Sequence, residues 1–159
     1  MKTISILALA LLLFLSSSCE NANEKIILTT GISESPDELR FGIELSPCDV
    51  YYCEETSPLS GQYNYFHAKF NSHQFKKIKN DLLKVYNKID TSSFVDGMMY
   101  ELIIFNNYKR SVKRFAGPQC KEIKNIENCR KMEMEKIKYH EFPKELLEKK
   151  LPKFVPPTK

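Results

Sequence analysis

At 159 residues the chain has the length of one ordinary domain. With 28% charged and 11% aromatic residues, its composition excludes a disordered or collagen-like chain. The net charge of +4 is unevenly divided, residues 19–107 summing to −5 and residues 108–159 to +8.

The first 18 residues read as a secretory leader: Lys2, an apolar run from Ile4 to Leu15, then Ser16, Ser17 and Ser18. That run is too short for a transmembrane anchor, and no second apolar run approaches the roughly 18–20 residues that span a bilayer. Cys19 follows the serines directly. A cysteine in that place resembles the lipobox of bacterial lipoproteins, whose thiol receives a diacylglycerol before cleavage. Such boxes usually carry Leu three residues before the cysteine. Here that place holds Ser16, with Leu15 one step further away. An ordinary secretory signal with an incidental cysteine is the alternative, and both readings imply export. Parity favours lipidation, because one lipidated thiol out of five leaves an even four for an oxidising compartment. The expected organisation is thus a signal peptide over 1–18, a lipidated cysteine and polar tether over 19–25, one domain over 26–151 and a Pro-rich tail over 152–159. The expected address is the bacterial cell envelope, periplasmic or surface face.

Within the domain, Ile26–Thr30 is a short β-type run ended by Gly31. Leu39–Leu45 alternates around Phe41, Ile43 and Leu45, Ser46-Pro47 interrupts it, and Val50–Glu54 resumes. After the loop Ser57–Gly61, the segment Gln62–Phe70 places Phe66, Ala68 and Phe70 on one face and Tyr65, His67 and Lys69 on the other. Asn71 and Gln74 form a capping signature. They open a helix to about Ile89, with Phe75, Ile78, Leu82, Val85, Tyr86 and Ile89 on one stripe and Lys76, Lys77, Lys84 and Lys88 opposite. Met99–Phe105 is apolar on both faces and reads as a central strand. Asn106-Asn107 turns into Tyr108–Ala116, where Val112 is the core candidate. Gln119–Lys138 reads as a second helix, with Arg130 awkward on its apolar face and a break near Cys129 as the way to accommodate it. Leu146, Leu147 and Leu151 are candidates for a short docking turn. The fold class is α+β, an antiparallel sheet with two helices packed on one face.

This order of elements is similar to small uncharacterised domains carried by exported bacterial lipoproteins. The likeness rests on Ser46–Tyr51, Gly61–Tyr63, Phe75-x-x-Ile78 and Met99–Phe115, within residues 40–130. That group has no assigned activity, so the resemblance implies a fold and an address and supplies no active site.

Cys48, Cys53, Cys120 and Cys129 have spacings C-x4-C and C-x8-C, neither of which is a C-x-x-C redox site or a close zinc pair. Disulfides are the expected state, with zinc or catalytic thiols as the alternative. Regular structure at both places implies cross-links between the Cys48/Cys53 segment and the Cys120/Cys129 segment, and a loop at either restores local pairing.

Of the three histidines, His73 and His140 read as exposed, and His67 is flanked on its strand face by Tyr65 and Lys69. A plain exposed histidine is the simpler reading of His67. The chain carries no H-E-x-x-H, phosphate loop, nucleophile elbow or dinucleotide fingerprint, and no metal or cofactor is expected. Tyr63, Tyr65 and His67, together with Lys109, Arg110, Lys113 and Arg114, make a candidate binding surface; sheet packing and a solvated lysine-rich face are the plainer accounts. The functional expectation is a non-catalytic binding or structural module, held at the membrane by its lipid, with an unidentified protein or small-molecule partner and no nucleic acid. The alternative is a small exported enzyme built around His67 and Tyr65.

Overall fold

Runs that are apolar on both faces favour a sheet buried on both sides, and that is the architecture found. The computed structural model describes residues 23–32, 39–91, 98–107 and 109–146. Seven strands form one sheet: β1 (Lys25–Ile32), β2 (Phe41–Leu45), β3 (Asp49–Glu55), β4 (Tyr63–Lys69), β5 (Met98–Asn106), β6 (Lys109–Ala116) and β7 (Glu135–Ile137). Their order is β6-β5-β1-β2-β3-β4-β7, and every neighbouring pair is antiparallel. The first strand therefore becomes the centre, between β2 and β5.

Two helices, α1 (Ser72–Val85) and α2 (Lys121–Asn128), lie in contact on one face. Asn71 caps α1 as its residue type suggests, its side chain accepting from the backbone N–H of His73 at 2.8 Å and of Gln74 at 3.2 Å. The apolar stripe of α1 then buries Phe75 and Leu82 against the sheet, and α2 adds Ile123 and Ile126. Ile26, Leu28, Ile43, Leu45, Val50, Leu102 and Ile104 meet them from below. The α1–α2 junction is pinned by Gln119, whose side chain accepts from Asp90 N–H (2.8 Å) and donates to Asp90 C=O (2.7 Å).

The opposite face is also covered. Ile27, Cys53, Tyr65 and Ile103 pack against Phe142 and Leu146, which the chain carries over from β7 through a tight turn at Tyr139–Glu141. Leu146 was a candidate for such docking; Leu147, Leu151 and the Pro-rich tail lie outside the described residues, as does the leader with Cys19.

The second helix breaks where the awkward Arg130 calls for it: it ends at Asn128 and closes in a single 3-10 turn, Cys129–Lys131, so that Arg130 leaves the apolar stripe and sits over the Phe41 ring at 5.5 Å. Two details differ from the sequence reading. Glu135–Ile137, expected to be helical, is a strand, because it pairs with β4 at Tyr65, Phe66 and His67. On β6 the core residue is Phe115, stacked on Tyr100 at 5.7 Å, whereas Val112 points to the other face of an edge strand and is 40% exposed.

Candidate functional site

The strand alternation that builds the sheet also sorts the candidate residues. On β4, Tyr63, Tyr65 and His67 share the face away from the helices. Tyr65 is buried there against Phe142 (ring centroids 5.0 Å apart) and Tyr139 (5.7 Å), and the Tyr63 hydroxyl donates to Leu39 C=O at 2.6 Å. These tyrosines are the floor on which the C-terminal segment rests, so the expected exposed aromatic surface is corrected to sheet packing. The basic half of the expected surface lies on β6, at the other margin of the sheet, five strand spacings or roughly 24 Å from β4. Nor do its four cations act together. Lys113 lies on the helix face, over the Tyr86 ring at 4.9 Å and donating to Ile89 C=O, and Arg114 is paired with Glu101 at 2.6 Å on the opposite face. Lys109 and Arg110 are exposed.

His67 is more engaged than its sequence context suggests. Its Nε2 lies 2.9 Å from Asp49 Oδ1, its Nδ1 lies 3.2 Å from Glu135 Oε1, and its ring lies against Tyr51 with centroids 4.7 Å apart. Lys69 Nζ donates to the same Asp49 oxygen at 2.9 Å. Burial alone would raise the Asp49 carboxyl, but the hydrogen bonds from His67 and Lys69 outweigh it and hold it below the usual carboxylate range. The register accounts for the cluster: Asp49 faces Lys69, Tyr51 faces His67, and His67 faces Glu135. These are cross-strand pairs of the kind that fasten a sheet, here tying the three-residue β7 to β4.

The thiols are also sorted by face. Cys53, Cys120 and Cys129 are free, and Cys48 is not. Cys53 packs on the C-terminal side of the sheet, whereas Cys120 and Cys129 pack on the helix side. The expected cross-links from Cys53 to Cys120 or Cys129 are thus barred by the sheet itself. Burial pushes the Cys53 thiol far up and the Cys129 thiol up to about 11, so neither is poised as a nucleophile. Among the described residues no group of three or more His, Cys, Asp or Glu side chains is placed to hold a metal.

A groove of about 370 Å³ opens on the helix side of β3 and β4, below the segment that follows α2. Tyr52 and Phe66 stack to form its floor (5.8 Å between centroids), Met132 and Met134 line its wall, and Glu54, Arg130 and Lys131 supply charge. The Tyr52 hydroxyl donates to Glu54 at 2.5 Å. Burial, and then that carboxylate, push the phenol well above its usual value, so it stays protonated. Nothing in the sequence points to this groove, because Met132 and Met134 lie beside β4 only through β7, a strand where the sequence reads as helix. A second cavity beside Thr29, Glu101 and Arg114 measures about 20 Å³, room for about one water.

No protein-family model, curated protein or solved structure matches the chain. Among the described residues, no helix is long and apolar enough to cross a membrane.

Proposed function

We propose that this protein is an exported, lipid-anchored module of the bacterial cell envelope that binds a ligand, with the β3–β4 groove as its seat. The groove carries the reading. An aromatic floor, two adaptable thioether side chains and two cations, Arg130 and Lys131, against the one carboxylate of Glu54, which already accepts from Tyr52, suit a small flat anion such as an aromatic carboxylate, and a volume near 370 Å³ has room for it. The leader, with Cys19 directly after it, supports the address. With three free thiols the parity argument for Cys19 falls away, and the anchor rests on the leader alone.

Titration with indole-3-acetate and with neutral indole, followed by Met132 and Met134 methyl resonances, tests the groove. Shifts with the acid that weaken about tenfold in Arg130→Gln, as expected for losing a charge-assisted contact, support it; silence with both probes overturns it. The address is tested on the N-terminal peptide of protein from the membrane fraction. A diacylated Cys19 supports it, and an unacylated Cys19, or one disulfide-linked to Cys48, overturns it. The rival enzyme at His67 is favoured by the two carboxylates within hydrogen-bond reach. Against it, both ring nitrogens are already engaged and neither described cavity is lined by His67. A hydrolytic or transfer turnover abolished by His67→Ala would establish it.

A further inference from the structure

Two consecutive residues, Met134 and Glu135, face opposite sides of the sheet. Met134 lines the wall of the β3–β4 groove on the helix side. Glu135 points to the other side, where its Oε1 lies 3.2 Å from Nδ1 of His67. Alternation along an extended chain imposes this division. The strand that carries both is short: β7 has three residues and pairs with β4 alone, at Tyr65, Phe66 and His67. The place of Met134 in the groove therefore depends on how firmly β7 is held.

The hold at His67 makes a chemical demand. Nε2 lies 2.9 Å from Asp49 Oδ1 while Nδ1 meets Glu135. An ionised carboxylate only accepts hydrogen bonds, so both contacts exist together only while both ring nitrogens carry hydrogen, which is the imidazolium. A neutral ring has one N–H, and its bare nitrogen then faces an oxygen that repels it. The surroundings decide which contact yields. Asp49 is held by a second donor, Lys69 at 2.9 Å, and its side chain is 24% exposed. The Glu135 side chain is 72% exposed and can turn into water. Of the other groups on that face, Tyr51 of β3 lies against the ring, and Tyr65 of β4 packs on Tyr139 and Phe142. Beyond Tyr51, Glu44 is paired with Lys25, which also reaches Glu145.

We infer that His67 is a positioning residue for the β3–β4 groove: its protonated ring clasps β7 from the reverse face, and loss of the second ring proton loosens the Met134 wall. This rests on the ligand-seat reading above. The sign follows from the contacts. The clasp is closed on the acid side of the His67 titration, as long as Asp49 and Glu135 stay ionised, and opens as pH rises through it. The groove thus holds its ligand more tightly on the acid side. A pair with one member exposed to water limits the change to about fivefold.

The test follows three signals of the full chain from about pH 5 to 8, the range in which histidines commonly change charge. They are the His67 ring proton resonances, the amide protection factors within Glu135–Ile137, and the affinity for indole-3-acetate read at the Met134 methyl. Protection and affinity are expected to fall together, about two- to fivefold, along the His67 curve. In Glu135→Gln the new side-chain amide can donate to the bare ring nitrogen, so β7 should stay protected and the fall in affinity should vanish. In His67→Gln neither signal should change over this range. A ring that loses its proton with no change in β7 protection, or that does not titrate at all, overturns the inference and leaves the groove standing. So does constant affinity while protection falls, or an undiminished fall in Glu135→Gln. Absence of indole-3-acetate binding at every pH overturns the groove reading itself, whatever the β7 amides do.

Discussion

Lys79 follows Phe75 by four residues on the apolar stripe of α1, a place where hydrophobic spacing alone asks for a leucine. Its ammonium is buried because Glu24 and Asn106 meet it there, partners that lie 55 and 27 residues away and leave no local trace. Removing one member of a buried ion pair strands the other, so Lys79→Ala should lower stability by about 3–5 kcal/mol in urea unfolding. The Lys79→Met, Glu24→Gln double variant should recover most of that. A loss under about 1 kcal/mol in the single variant would mean that water reaches Glu24 instead. Asp49 carries a pH signature of known sign. Its folded carboxyl titrates below the unfolded one, so its stabilising effect is complete above the unfolded value near 3.9 and disappears as pH falls through the lower folded value. The melting temperature of the native protein should therefore fall more steeply than that of Asp49→Asn as the solution is acidified below about pH 4.

At the level of elements, what could be read in advance was what neighbouring residues decide. The start of α1 was legible because Asn71 and the Phe75, Ile78, Leu82 stripe agree, and β5 was legible as a central strand because it is apolar on both faces, whereas β1 read only as a short strand. The break of α2 near Cys129 was legible from Arg130 on its apolar face, but the existence of β7 was not, since three residues become a strand only when β4 is there to receive them. The expected cross-links of Cys53 with Cys120 or Cys129 failed for a related reason, Cys48 alone of the four not being free: spacing along the chain says how far apart two cysteines are, but not which side of a sheet each one faces. The groove was invisible for the same reason as β7. The seat of the C-terminal segment offers an element-scale test at Gly42. A Cβ there would stand 2.8 Å from Leu146 Cδ2 and 3.4 Å from Cys53 Sγ, so Gly42→Ala must displace the Leu146 side chain from its buried place. The expected cost is about 1–3 kcal/mol, expressed as faster proteolysis beyond Lys138 with the helix face intact. Unchanged cleavage would show that Leu146 repacks freely.

For the whole molecule, the strand order places the chain's first strand at the sheet centre and makes it wait for β5, whose residues follow it by about 70 positions. Such distant pairing makes folding slow relative to a local hairpin. Until it is complete, Cys53, Cys120 and Cys129 are accessible; afterwards Cys53 and Cys129 are buried and only Cys120 is partly open. Iodoacetamide should accordingly modify Cys120 first in the folded protein, and Cys53 and Cys129 only at the rate of unfolding; equal rates at all three would refute the enclosure. On the export route proposed above, this sets a deadline. Folding competes with oxidation, and a chain that closes its sheet late is trapped by bonds the finished fold forbids. Delivery across the membrane would then favour conditions in which β1 meets β5 before any oxidant meets Cys53, and the yield of correctly folded protein should rise when oxidation is delayed.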